Sequence, residues 1–220
     1  MNRLAMPDDI RTSTQRRPMR RAGPFFAALA LAACGPLGGS PAPDLATAPL
    51  AGAAIGGDFA LTDKDGKTVR WSDFAGQWRI VYFGYTFCPD VCPVDAAAIG
   101  QGLSAFEKAE PDLGAKVTPI FVTVDPERDT PAVVGEFTGN FHPRMVGLTG
   151  TPDAVKATAK KFAVWFEKGE PTASENGDAG YMVGHTNQTV LFDPDGNPIA
   201  LLPTDQGGAA VAAEIAKWVR

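Results

Sequence analysis

Strand-type and helix-type segments alternate over residues 58–220 and predict an α/β fold, a central mixed sheet flanked by helices. Three observations carry that expectation. A β-branched and aromatic run at 78–85 ends at a pair of cysteines and is followed by a helix-type stretch at 95–106. A second apolar run, 115–124, leads into a segment with its own helix-start signal, and a hairpin signal near residue 195 precedes a closing amphipathic stretch.

Taken in order, Asp58-Phe-Ala-Leu-Thr-Asp63 and Thr68-Val-Arg-Trp71 read as a hairpin turning at Asp65-Gly66. The run 78–85 is the first buried strand. The cysteine segment Phe83-Gly-Tyr-Thr-Phe-Cys-Pro-Asp-Val-Cys-Pro93 then lies at a strand-to-helix turn, with either Pro89 or Pro93 able to open the helix. The second strand, 115–124, ends in Asp125-Pro-Glu-Arg-Asp-Thr-Pro131, where Thr130 is placed to cap a helix over 131–140. A short strand at 145–148 precedes a helix at 151–162, capped by Thr151 with Pro152 in its first position. Segments 164–167 and 179–183 flank a polar, glycine-containing stretch and read as an inserted hairpin with a mobile tip. Strands at 189–192 and 199–202 pair around Asp193-Pro-Asp-Gly-Asn197, and a helix at 208–219 closes the chain. This order, with a cysteine pair between the first long strand and its helix, is that of thioredoxin-like folds.

The first 57 residues read differently. Residues 1–33 hold six arginines and two aspartates, and the apolar run 22–33 is too short to span a bilayer but suits a signal-peptide core. It ends in Leu31-Ala-Ala-Cys34, which resembles the bacterial lipoprotein box. That resemblance implies cleavage before a lipidated Cys34, an exported protein, and a lipid anchor in the bacterial cell membrane facing the periplasm. A plain signal peptide and an uncleaved anchor are the other two readings. Residues 34–57, rich in Gly, Ala and Pro and charged only at Asp44, read as a flexible tether. The domain from 58 to 220 follows. Beyond residue 33 there are 14 basic against 23 acidic residues, and an acidic domain without a basic patch argues against nucleic-acid binding.

Apart from Cys34 the cysteines are Cys88 and Cys92, four apart at the start of a helix. Residues at this spacing share a helix face with Cβ atoms roughly 5–6 Å apart, near enough for a disulfide or for one metal held between them. Free N–H groups and the helix dipole at that end favour thiolates, so both sulfurs are expected to be good ligands or nucleophiles. In an exported chain the pair can cycle between disulfide and dithiol, and it must be reduced before it binds metal. A merely stapling disulfide fits poorly, because so small a loop constrains the unfolded chain little.

Two histidines are present. His185, in Gly184-His-Thr-Asn-Gln188, directly precedes the strand at 189–192. In a thioredoxin-like sheet the start of that strand lies beside the cysteine turn, which makes His185 a candidate third ligand. His142, after the helix at 131–140, reads as a surface or helix-capping residue. Two thiolates and one imidazole form a soft set suited to Cu(I), with a side left open, whereas structural zinc wants a fourth protein ligand.

Phe87-Cys-Pro-Asp-Val-Cys-Pro93, Val124-Asp-Pro-Glu-Arg-Asp-Thr-Pro131 and Gly184-His-Thr186 together resemble the signature segments of the Sco/SenC family of copper-binding proteins. The resemblance implies a membrane-tethered thioredoxin-like domain binding one copper, as Cu(I) or Cu(II), through Cys88, Cys92 and His185. It implies a partner, subunit II of cytochrome c oxidase, whose binuclear copper site such proteins help assemble as metallochaperones, as thiol reductants, or both. A copper donor or a thiol reductase acting on this chain is a further expected partner. Family members often carry an acid before the histidine, where Gly184 stands here, so Asp125 or Asp90 is expected to support the ligands instead. The competing reading is an exported thiol–disulfide oxidoreductase without stable metal. Against it stand a three-residue spacer between the cysteines where two is typical, and Asn187 at the place of the usual cis-proline.

Overall fold

The computed structural model describes residues 42–173 and 179–220. The signal peptide, Cys34 and the tip of the inserted hairpin at 174–178 lie outside the described residues. No described helix is long and apolar enough to cross a membrane.

The strands and helices follow one another as β1 (Ala60–Thr62), β2 (Thr68–Arg70), β3 (Trp78–Gly84), α1 (Val91–Ala109), α2 (Pro111–Gly114), β4 (Val117–Thr123), α3 (Pro131–Gly139), β5 (Val146–Leu148) and α4 (Pro152–Lys161). They continue as β6 (Phe166–Lys168), β7 (Thr172–Ala173), β8 (Ala179–Gly180), β9 (Val183–His185), β10 (Thr189–Phe192), β11 (Pro198–Leu201) and α5 (Gly208–Trp218). Five strands form the main sheet in the order β11-β10-β3-β4-β5. β3, β4 and β5 run parallel, while β10 and β11 are antiparallel to their neighbours. This is the thioredoxin-like mixed sheet expected from the sequence. Every residue of β3 and of β4 is buried, as befits strands covered on both faces.

Alternation along β3 sends Tyr82 to one face, where its ring meets Phe121 and, through it, Phe137 of α3. Phe83 points to the other face, against Phe162 at the end of α4, with Phe59, Trp71 and Phe192 completing an aromatic cluster. The two helix caps read from the sequence are in place, since Thr130 accepts from Val133 N and Thr151 from Ala154 N. Helix α1 opens at Val91, at neither proline. Pro93 falls within its first turn, where the backbone N–H would have no intrahelical partner anyway.

Two expectations need correction. Residues 42–57 are not free tether: Leu45, Leu50 and Ile55 pack on the core, Leu50 N donates to Ile199 O at 3.0 Å, and Gly56 N donates to Lys161 O at 2.9 Å. Gly56 has φ +105°, and a Cβ there would lie 2.9 Å from Phe192 Cε1, so glycine serves close docking at this point rather than looseness. His142 is 3% exposed, not a surface residue. Its Nδ1 accepts from Arg144 N at 3.2 Å, which leaves Nε2 to donate to Glu107 Oε2 at 3.3 Å.

Candidate metal centre

The centre forms where the C-terminal end of β3 meets the start of α1. Cys88 sits in the turn before the helix and Cys92 in its first turn; both are free thiols. Gly84, the last residue of β3, faces Cys92: a Cβ there would come 3.1 Å from Cys92 Sγ and 2.8 Å from Tyr82 Cε1. The strand can therefore lie directly beneath the sulfur only because residue 84 has no side chain.

His185 arrives from the inserted hairpin. β6 pairs antiparallel with β9, placing Phe166 opposite His185, and His185 is the last residue of β9. Its ring stands edge-on to Tyr85 and Tyr82, with centroids 6.0 and 6.5 Å away. Nδ1 lies 3.1 Å from the Thr186 carbonyl oxygen. A carbonyl only accepts, so Nδ1 carries the proton and the Nε2 lone pair is free, the usual way a protein orients a ligating histidine. Nε2 lies 3.4 Å from Cys92 Sγ.

The two sulfurs are not equivalent. Burial alone would raise the Cys88 pKa, but the N–H groups of Cys92 and Asp90, with the neighbouring Cys92 and Tyr85 side chains, outweigh it and hold the pKa below the ordinary thiol value. The Cys92 N–H reaches Cys88 Sγ at 3.5 Å. Cys92 is 0% exposed, and burial, with the neighbouring Cys88, pushes its pKa up to about 12. The expectation of two thiolates is thus corrected to one: the helix N-terminus serves the outer sulfur, while desolvation governs the inner one. In the metal-free protein Cys92 is a thiol that donates to His185 Nε2. Burial also holds the His185 pKa below the usual imidazole value, against the Thr186 carbonyl and Asp95, so the ring is neutral and ready to bind.

Of the carboxylates expected to support the ligands, Asp90 is exposed, and Asp125 is engaged by Tyr181 Oη and Arg128 Nε. Among the described residues neither hydrogen-bonds His185; a backbone carbonyl does so instead. Asp95 escaped the sequence reading, although at three residues from Cys92 it lies on the same helix face. It is buried, its Oδ2 has no hydrogen-bond partner among the described residues, and it lies near Tyr82 Oη, which also borders Cys92. Met182, whose sulfur accepts from Tyr85 Oη at 3.7 Å, gave no sequence signal.

Among the described residues no three His, Cys, Asp or Glu side chains form a closed metal-holding group. The pair Cys92 and His185 nevertheless fits one ion. Sulfur and nitrogen donors bound at 2.3 and 2.0 Å in a trigonal arrangement stand about 3.7 Å apart, close to the observed separation. Cys88 borders that pair through the Cys92 N–H.

A thioredoxin-like domain with a buried dithiol and a neutral histidine at the start of its first long helix defines a protein of soft-metal or thiol chemistry. The family model described as SCO1/SenC matches residues 47–220, and the chain belongs to that family. It is 41% identical over 150 residues to the mitochondrial SCO1 homolog 1 of Arabidopsis thaliana, a match covering 68% of this chain and 42% of that protein. Among solved structures it resembles Arabidopsis thaliana ScoI with copper bound, at 35% identity and TM-score 0.68, covering 76% of this chain and 99% of that one. Bradyrhizobium japonicum ScoI with copper bound is similar at 35% identity and TM-score 0.65, covering 75% and 99%. The matched stretch spans between 42% and 62% of the length of the first curated relatives.

Proposed function

We propose that this chain binds one copper ion through Cys88, Cys92 and His185 and serves assembly of the binuclear copper site in subunit II of cytochrome c oxidase. The observation that carries the reading is the 3.4 Å approach of His185 Nε2 to Cys92 Sγ, with Nδ1 held by the Thr186 carbonyl. Two sulfurs and a neutral imidazole are donors that Cu(I) prefers, and the copper-bound relatives support the same cargo. Loading draws Cys88 toward the other two donors and releases the Cys92 proton, so uptake strengthens as pH rises. Anaerobic reconstitution with Cu(I) or Cu(II), then incubation with an apo subunit II fragment, tests the role. Metal appearing on the fragment supports donation, and retention of all metal by this chain contradicts it.

The asymmetry of the sulfurs favours a second activity at the same site, reduction of the target's cysteines. The Cys88 thiolate would attack a disulfide on the target, releasing one target thiolate and leaving a mixed disulfide. Cys92, on losing its proton, would then attack Cys88 Sγ and release the second. This chain ends as the disulfide and the target as the dithiol, two electrons having passed. Counting thiols on both proteins in the same incubation separates this from metal donation.

The site of action follows from the leader. The protein is exported and lipidated at Cys34, so that residues beyond the anchor face the periplasm. Cys34→Ser should release or misprocess it, and normal membrane retention of that variant would point to an uncleaved anchor.

A further inference from the structure

The acidic segment after β4 supplies no ligand, yet it touches both halves of the centre. Asp129 is buried and accepts from Thr86 N at 3.1 Å and Thr86 Oγ1 at 2.6 Å, in the turn that carries the cysteines. Asp125 accepts from Tyr181 Oη at 2.7 Å, and Glu127 pairs with Lys168. Lys168 and Tyr181 belong to the inserted hairpin whose last residue is His185. That hairpin makes two short ladders of its own, β6-β9 and β7-β8, neither hydrogen-bonded into the five-stranded sheet. Strand β10, which follows it and pairs with β3, brings its end near the cysteine turn, and side-chain contacts set the remaining distance. Two strands alone hold position poorly.

Arg128 stands between the two halves. Its Nε donates to Asp125 Oδ2, and its guanidinium carbon lies 3.7 Å from the ring centroid of Tyr181, 4.9 Å from that of Phe87 and 5.7 Å from that of Tyr85. Tyr85 and Phe87 come from the cysteine turn and Tyr181 from the hairpin, so one planar cation is packed among rings from both. Its Nη2 is buried without a hydrogen-bond partner among the described residues, which leaves the rings and Asp125 as the groups that hold the head. A guanidinium can lie flat against aromatic faces while donating in plane to a carboxylate; an ammonium such as that of Lys168, which lies over Tyr181 and pairs with Glu127, is a compact point charge without that planar fork.

We propose that Arg128 is a positioning residue: by clamping the hairpin onto the cysteine turn it sets the reach of His185 to the two sulfurs. The inference rests on the copper reading above and gives the acidic segment its role in it. The test compares the wild-type chain with Arg128→Ala, Arg128→Lys, His185→Ala and the Arg128→Ala/His185→Ala double variant. Each is reduced and loaded with Cu(II), and read by competition titration and by the nitrogen coupling in the electron paramagnetic resonance spectrum.

Arg128→Ala should weaken Cu(II) binding about ten- to hundredfold, the range for residues that orient a ligand, and diminish the nitrogen coupling. In the double variant it should add nothing to the loss from His185→Ala. If Arg128→Ala does not fold, Arg128→Lys carries the test, and it should keep the fold while still weakening binding several-fold. Wild-type affinity and nitrogen coupling in the folded Arg128 variants, or full additivity with His185→Ala, would overturn the clamp while leaving His185 a ligand. An unchanged affinity in His185→Ala alone would remove His185 from the copper site, and the clamp with it.

Discussion

Cys92 Sγ and His185 Nε2 are in contact at 3.4 Å although 93 residues separate them in the chain. The contact ties the first turn of α1 to the end of the inserted hairpin, and it makes the inner thiol a hydrogen-bond donor to a neutral ring.

That arrangement sets an order of thiol reactivity. In the reduced, metal-free protein Cys88 is 8% exposed with a lowered pKa, while Cys92 is 0% exposed with its pKa pushed up to about 12. Alkylation at neutral pH should therefore mark Cys88 first, with a rate that levels off below the pH at which an ordinary thiol does. Cys92 should become reactive only in strongly alkaline solution or on unfolding. Mass mapping of a timed iodoacetamide reaction reads this directly; equal labelling of the two would contradict it.

Oxidation should switch the centre off. A disulfide between Cys88 and Cys92 consumes both sulfurs, so the oxidised chain should fail to retain copper through gel filtration, and addition of a thiol reductant should restore about one copper per chain. An oxidised form that loads copper as the reduced one does would show that the sulfurs are not the ligands.

Gly84 offers a probe that leaves all three ligands in place. Gly84→Ala puts a methyl group within 3.1 Å of Cys92 Sγ and within 3.2 Å of Phe121 Cε2, in a strand packed on both faces. Overpacking of this kind costs about 1–3 kcal/mol, and here it also displaces the inner sulfur. Chemical denaturation should show that loss of stability, and copper titration a weaker site. A variant with unchanged stability and affinity would mean that strand and sulfur are not in close contact.

Away from the centre, Glu107 on α1 pairs with Arg144 and accepts from His142, tying the helix to the segment before β5. Burial would raise its pKa, but Arg144 and then His142 outweigh burial, so the folded value lies below the unfolded one. Its contribution is complete above the unfolded pKa and disappears as pH falls through the folded one. Glu107→Gln should cost about 1 kcal/mol at neutral pH, with part of the charge solvent-screened, and almost nothing in strong acid. Denaturation curves across that range should converge at the acid end, and a constant difference at every pH would contradict the ion-pair account.

Much of this was legible in the sequence because it was written locally. The β-branched runs that became β3 and β4, the capping residues Thr130 and Thr151, the Asp-Gly turns and the four-residue cysteine spacing each depend on near neighbours. The approach of His185 to Cys92 was inferable because the order of elements fixes which strand ends meet. What was missed depends on distant partners. Composition made residues 42–57 look like tether, since three spaced apolar side chains and a glycine suited to docking on Phe192 resemble a linker until the surface they meet is known. His142 looked like a surface residue because its partner Glu107 lies 35 residues away. The inequality of the two sulfurs depends on which one the sheet buries, and the group that orients His185 is a backbone carbonyl, which no side-chain pattern reveals.

The central claim is that three side chains from separate parts of the chain share one soft ion. X-ray absorption on the reduced protein loaded with a single equivalent of Cu(I), wild type beside His185→Ala, tests it most directly. Two sulfur donors and one imidazole nitrogen in the wild type, with the nitrogen lost in the variant, is the predicted result. A sulfur-only spectrum that is identical in both proteins would contradict it.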